Sequence, residues 1–177
     1  MQCVAFGLLY TVYYLVYCFT ADFISFAAQF CYSVCIRRLR AEGYQVVDRP
    51  RPRERDDSLS TNYGGVVAVA FTGARLKSLV VGVNPKTFEL FLCVRVTSGT
   101  ESCILGIIYR PRSIAVTSAL HALSDVLDRL STFVEPVYIA GDVNVRLDRP
   151  DDPAADVQLF DVLADHGLSR RVNEATQ

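Results

Sequence analysis

A chain of 177 residues that is 51% hydrophobic can bury one good core, and it is too short to hold several domains of ordinary size. Its formal net charge of −1 excludes a global basic field, so a nucleic-acid partner has to be met by a local patch. The six cysteines form no CxxC pair and no Cys/His spacing, which argues against a structural zinc site and for buried free thiols.

The first 36 residues carry one charged side chain, Asp22, whereas residues 37–57 carry seven arginines and five acids. Residues 3–21 hold 19 positions without a charge, which at about 1.5 Å rise each nearly matches a hydrocarbon core of roughly 30 Å. Tyr10, Tyr13, Tyr14 and Tyr17 recur at helical spacing, and Arg37, Arg38 and Arg40 follow a second apolar stretch as a positive-inside flank would. Two readings of residues 1–33 stay open: an apolar helix that spans a membrane, or a segment foreign to residues 34–177 and joined to them through a rearranged reading frame. A cleaved signal peptide fits less well, because no Lys or Arg precedes the apolar stretch.

From residue 34 onward the pattern alternates. Val34, Ile36 and Leu39 with Gly43 behind them predict a short helix ended by a residue that tolerates positive φ, then a strand at 44–47. Residues 48–62 read as a solvated loop, and Gly64-Gly65 introduces a strand at 66–71. Further strands are expected at 79–83, 88–97 and 103–109, with Gly73 and Ser98-Gly99 at the breaks. Val116, Ala119, Leu120, Leu123, Val126, Leu127, Leu130 and Phe133 repeat at three and four, the stripe of a core-facing helix. A buried strand at 136–140 comes next, and a second helix is signalled by Asp152 as cap, Pro153 at its first position and Gly167 past its end. These elements imply an α/β sandwich.

The chemistry-bearing candidates sit at strand ends. Gly141-Asp142-Val143-Asn144 follows the apolar run, and Asp142 and Asn144, two apart, point the same way on extended backbone and can grip one phosphate or one water. The same tetrapeptide is also an ordinary turn. Tyr109 ends an apolar strand as a ligand to phosphate or as a core tyrosine with a wet hydroxyl, and Arg110 is either a phosphate cation or a solvated arginine before Pro111. Arg37, Arg38, Arg40, Arg49, Arg51, Arg53 and Arg55 offer a phosphate-tracking surface or a solvated helix face and loop. His121 reads as a position on the long helix, and His166 beside Gly167 fits a helix C-terminus.

Ile107-Ile108-Tyr109-Arg110-Pro111, a long helix, then Val137-Tyr138-Ile139-Ala140-Gly141-Asp142-Val143-Asn144 resembles the middle of the endonuclease/exonuclease/phosphatase superfamily, and most of all the endonuclease domain of non-LTR, LINE-type retrotransposons. The helix and strand around Arg37-Arg38-Leu39-Arg40-Ala41-Glu42-Gly43-Tyr44 and the Gly64-Gly65-Val66 strand start fall in the same order. The resemblance implies a four-layered α/β sandwich over residues 34–177 and Mg²⁺-dependent hydrolysis of a DNA phosphodiester, with no small-molecule cofactor. It implies that Asp142 orients and deprotonates the attacking water, that Asn144 hydrogen-bonds the water or the phosphate, and that Tyr109 contacts the phosphate or leaving group; Arg110 is added as a phosphate cation.

The departures are as informative. The family holds its metal with a Glu in an N-terminal Thr-Glu-Trp-like strand, preceded by an Asn-bearing strand, and closes its site with a Ser-Asp-His-like segment. By spacing that Glu falls near Ser25, where the only upstream acid is Asp22, and the chain reaches Gln177 before an Asp-His pair occurs. The expectation is an incomplete sandwich, truncated at both ends, impaired in catalysis and preceded by an extra apolar helix. Its place would be the membrane if residues 3–21 span, and the nucleus or cytoplasm if they are foreign. A membrane-anchored non-catalytic remnant and a phosphatase of the same superfamily remain alternatives.

Overall fold

Side-chain alternation along each strand decides which layer a residue joins, and the layers follow from it. The computed structural model describes residues 3–6, 23–28, 32–50, 65–70, 73–82, 90–111, 113–143 and 153–170. In chain order the elements are β1 (Cys3–Phe6), β2 (Phe23–Ala28), α1 (Tyr32–Ala41), β3 (Gln45–Pro50), β4 (Gly65–Ala70), β5 (Ala74–Leu79), β6 (Leu90–Ser98), β7 (Glu101–Tyr109), α2 (Val116–Leu130), β8 (Val137–Asp142), α3 (Pro153–Asp165) and β9 (Ser169–Arg170). A six-stranded sheet runs β5-β6-β7-β8-β1-β9 and a three-stranded sheet runs β2-β4-β3.

The strand β4, Gly-Val-Val-Ala-Val-Ala, is buried at every position because both its faces are covered. Val66, Ala68 and Ala70 enter a core shared with Leu92, Val94 and Val96 of β6 and Leu105 and Ile107 of β7, between the two sheets. Val67 and Val69 face the other way and pack with Ile36 of α1 and, around it, Leu39, Tyr44 and Val46. On the far face of the larger sheet, Cys93, Ile104, Ile108, Val137 and Ile139 meet the stripe Ala119, Leu120, Leu123, Val126, Leu127 and Leu130 of α2, with Leu159 and Leu163 of α3. The order of layers is thus α1, small sheet, large sheet, α2 with α3: a four-layered α/β sandwich.

Both glycines expected behind helices end them. Gly43 (φ 88°) and Gly167 (φ 66°) take the left-handed conformation that closes α1 and α3. In each case the next residue's N–H turns back onto the last turn, Tyr44 to Leu39 O at 3.1 Å and Leu168 to Leu163 O at 2.8 Å, so a terminal carbonyl is satisfied and an apolar pair closes the end. Hydroxyls close α2 instead: Ser131 donates to Asp128 O and Thr132 to Arg129 O, each at 2.7 Å.

One expected element is displaced. The strand near residue 79 lies at Ala74–Leu79 rather than 79–83; Val80, just beyond it, is 99% exposed. The dense apolar run there is a weaker signal than the alternation Ala74, Leu76 against Arg75, Lys77, which suits an edge strand with one wet face. Within the apolar segment 1–33, residues 3–6 and 23–28 are strands; apolar runs this short carry no periodicity that separates strand from helix. Among the described residues no helix is long and apolar enough to cross a membrane, and residues 7–22, most of the segment 3–21, lie outside them. The two-residue strand β9 has no counterpart among the expected elements.

The strand β1 lies between β8 and β9 and pairs parallel with both, Val4 opposite Ile139 on one side and Arg170 on the other. Proline cannot donate to a ladder and belongs at sheet edges. Val4→Pro is therefore expected to cost about 2 kcal/mol or more, from a lost ladder bond and an acceptor left without its donor. A urea midpoint unchanged from the parent would show that residues 3–6 add nothing to the sheet.

Burial pushes the Cys93 thiol up from 9.0 to about 12, and the Val94 backbone hydrogen bond and the Arg95 charge offset this only in part. The folded state thus holds the proton that the unfolded chain releases above pH 9. Stability is full below pH 9 and declines between pH 9 and 12, by at most ~1.4 kcal/mol per pH unit from this group. Equilibrium unfolding of Cys93→Ala against the parent across pH 8–11 should show the parent alone losing this increment.

Candidate active site at the ends of two parallel strands

The chain leaves β7, crosses through α2 and returns as β8 parallel to β7, which brings two carboxyl-terminal strand ends side by side. Such ends are where layered α/β folds open a crevice for ligands. The register runs Ile104 opposite Val137 through Ile108 opposite Gly141 to Tyr109 opposite Asp142. Tyr109 and Asp142, 33 positions apart in the chain, are therefore direct neighbours across the ladder. On the other side of β8, Phe6 of β1 is the partner of Gly141.

Gly141 is the tightest point of this arrangement. Its φ is 134°, and a Cβ built on it would overlap the Ile108 carbonyl oxygen and lie 2.8 Å from the Ile108 carbonyl carbon and 2.9 Å from its nitrogen. Backbone meets backbone here, so no side-chain movement relieves the clash. The glycine of the Gly-Asp-Val-Asn motif is thus required by strand packing, with no appeal to chemistry.

The side chains flanking this point go to opposite faces. Tyr109 is half-buried and packs against the core between the sheets. Arg110 is 3% exposed, so it is neither a solvated arginine nor a surface cation. Its Nε donates to Val143 O, and its Nη1 donates to Ile114 O and, at 3.5 Å, to Pro111 O. Val143 is itself buried in the core under α2 and α3. Asp142 is described by its backbone alone, and Asn144 lies outside the described residues.

The described arginines of residues 37–50 are engaged with protein groups. Arg38 pairs with Glu42 at 2.8 Å and Arg40 with Asp48 at 2.7 Å, both on exposed surface. Arg49 donates to Phe91 O at 2.9 Å and ties β3 to the start of β6. Arg51, Arg53 and Arg55 lie outside the described residues. Away from the strand ends, His166 at the C-terminus of α3 meets Val162 O at 2.7 Å and the Asp128 carboxylate at 3.1 Å, which pins α3 to α2. His121 is exposed on α2. The Arg95 guanidinium lies over the Phe133 ring, 5.6 Å from its centroid, and its Nε comes within 2.7 Å of Glu135 Oε1 without hydrogen-bond alignment.

No protein-family model and no curated protein sequence matches the chain. Among solved structures, the catalytic domain of human Nocturnin, determined with a bound sulfate anion, is similar with a TM-score of 0.52 at 13% identity, over 76% of this chain and 57% of that one. The fold is of the endonuclease/exonuclease/phosphatase type. D. rerio TDP2, complexed with a single-strand DNA product, aligns with a TM-score of 0.49 at 14% identity, over 82% of this chain and 52% of that one. The chain therefore spans a little over half the length of each.

The donor chemistry around the strand ends fits Mg²⁺ poorly. That ion asks for hard oxygen ligands, one or two carboxylates with phosphate and water oxygens. β1 reads Cys-Val-Ala-Phe and β2 reads Phe-Ile-Ser-Phe-Ala-Ala, so Ser25 is the only side-chain oxygen either strand possesses. Among the described residues no three His, Cys, Asp or Glu side chains come together as a metal site. Asp22 immediately precedes β2 and lies outside the described residues.

The buried role of Arg110 and the steric role of Gly141 escaped the sequence. The available hints were Pro111, which restricts Arg110 to extended backbone, and the glycine itself. Gly141→Ala is expected to destabilise the fold by about 3 kcal/mol or more, from a side chain at strained φ set against a fixed carbonyl. Chemical denaturation of the purified variant measures it, and a loss below about 1 kcal/mol would mean the two backbones separate easily.

Proposed function

We propose that the chain is a retrotransposon-derived, LINE-type endonuclease-like domain, directed at the phosphodiesters of DNA and impaired in catalysis. The observation that carries this reading is the register of Tyr109 opposite Asp142 at the ends of parallel strands in a fold of the endonuclease/exonuclease/phosphatase type. In an active domain of this kind Asp142 orients a water and takes its proton as that water attacks phosphorus in line. Tyr109 hydrogen-bonds the phosphate or the departing oxygen, and Asn144 steadies the water or the phosphate. Mg²⁺ is the ion that would offset the developing charge.

The impairment follows from the strands that should hold that ion. The resemblance calls for an Asn-bearing strand and a Glu-bearing strand upstream, and the two strands at that place in the chain, β1 and β2, carry no amide and no acid. Losing a metal carboxylate removes several kcal/mol of transition-state stabilisation, on the order of a thousandfold or more in rate. Residual nicking then falls to the level that Asp142 and Tyr109 sustain unaided.

Supercoiled-plasmid nicking with Mg²⁺, comparing the parent with Asp142→Ala, tests the proposal. Little or no nicking by either protein is the expected result. Robust nicking that Asp142→Ala abolishes would overturn the impairment, and Mg²⁺-dependent phosphate release from a phosphorylated small molecule, without nicking, would move the reading to a phosphatase.

A further inference from the structure

We propose that Arg110 is a positioning residue, a buried two-sided clamp that fixes the exit of β8 against the exit of β7 and so sets the shape of the mouth in which Asp142 sits. The guanidinium is planar and carries its donors in fixed, diverging directions. Here Nε serves Val143 O, on the residue after Asp142, while Nη1 serves Ile114 O and Pro111 O in the segment after β7. One side chain therefore satisfies main-chain carbonyls from two segments that follow the last ladder pair on neighbouring strands.

The placement follows from alternation. Tyr109 points to the core between the sheets, so Arg110, the next residue, points to the face under α2 and α3, where Val143 and Ile114 are packed. Pro111 limits Arg110 to extended backbone and holds it in that direction. A buried cation in such a place is tolerated only when its donors are used, and buried carbonyls in turn require donors. Lysine keeps the charge, but its three donors share one nitrogen at the end of a flexible stem and lack the fixed, diverging directions that serve the two segments here.

The clamp rests on geometry alone; its consequence for DNA binding rests on the function proposed above. Amide hydrogen exchange by NMR on the full chain, parent against Arg110→Lys and Arg110→Met, separates the two. The expected result is exchange at least tenfold faster at Ser113–Val116 and at Asp142–Val143 together, with the amides of β6 and the centre of α2 unchanged. Acceleration in only one of the two segments, in neither, or uniformly through the chain would overturn the clamp. In the parent itself the Arg110 Nε–H should be protected from exchange, and a rate equal to that of exposed arginines would also overturn it, even if both variants failed to fold. A fluorescein-labelled 15-base-pair duplex supplies the other arm: about tenfold weaker binding to Arg110→Lys, despite its retained charge, is expected if this mouth faces DNA. Coupled loosening with unaltered affinity would leave the clamp standing and overturn its place in a DNA site.

Discussion

The close approach of two backbones, β8 at Gly141 against β7 at Ile108, is the constraint on which the rest of the strand-end region depends. A parallel pair has no hairpin to hold its register, so the register must come from side-chain fit and from points where only one residue is sterically allowed. Gly141 is such a point. A slip by one residue would place a side chain against the Ile108 carbonyl and would turn Val137 and Ile139 away from the α2 face. With the register fixed, Tyr109 and Asp142 become neighbours as a consequence of packing, and Arg110 and Val143 come close enough for the buried hydrogen bond between them.

The large sheet also depends on its most apolar strand. β1 stands between β8 and β9, so an interior position of the parallel set is filled by a segment with no polar side chain except a thiol. That composition suits the core of a sheet, since strands covered on both faces read as continuous apolar runs. The same composition makes residues 3–21 look like a membrane span. What favours burial at this place in the fold disfavours chemistry there, because the oxygen ligands of a hard cation are the side chains that an apolar core rejects.

How much was legible in the sequence depended on how local the signal was. Both left-handed helix ends were written in Gly43 and Gly167, the stripe of α2 in its spacing of three and four, and the β6–β7 turn in Ser98-Gly99. Each involves residues a few positions apart. The sandwich itself followed from the order of these elements. β1 and β2 were not legible, because a short apolar run gains its identity as a strand only from the partners that flank it, and those partners lie from about 40 to more than 160 residues away; β9, Ser-Arg, is two residues long and offers no pattern at all. The use of Arg110 was hidden for a related reason. An arginine before a proline at a strand end has a solvated default, and only the convergence of Val143 and Ile114 on one spot gives its donors a buried use.

The persistence of Asp142 says little by itself about activity, and electrostatics explains why. A hydrated carboxylate at the end of a strand costs a fold almost nothing. Facing a phosphodiester without a cation between them, however, it is a liability: two like charges 4 Å apart repel by about 1 kcal/mol in water and by about 4 kcal/mol at the effective dielectric of a protein surface. A carboxylate in such a place therefore favours the approach of a phosphodiester when a divalent ion lies between them and opposes it when none does. Whichever situation holds, Gly141 and Arg110 beside it have structural uses that do not depend on that carboxylate. A motif can thus be readable through its packing residues alone, whatever its polar residues do.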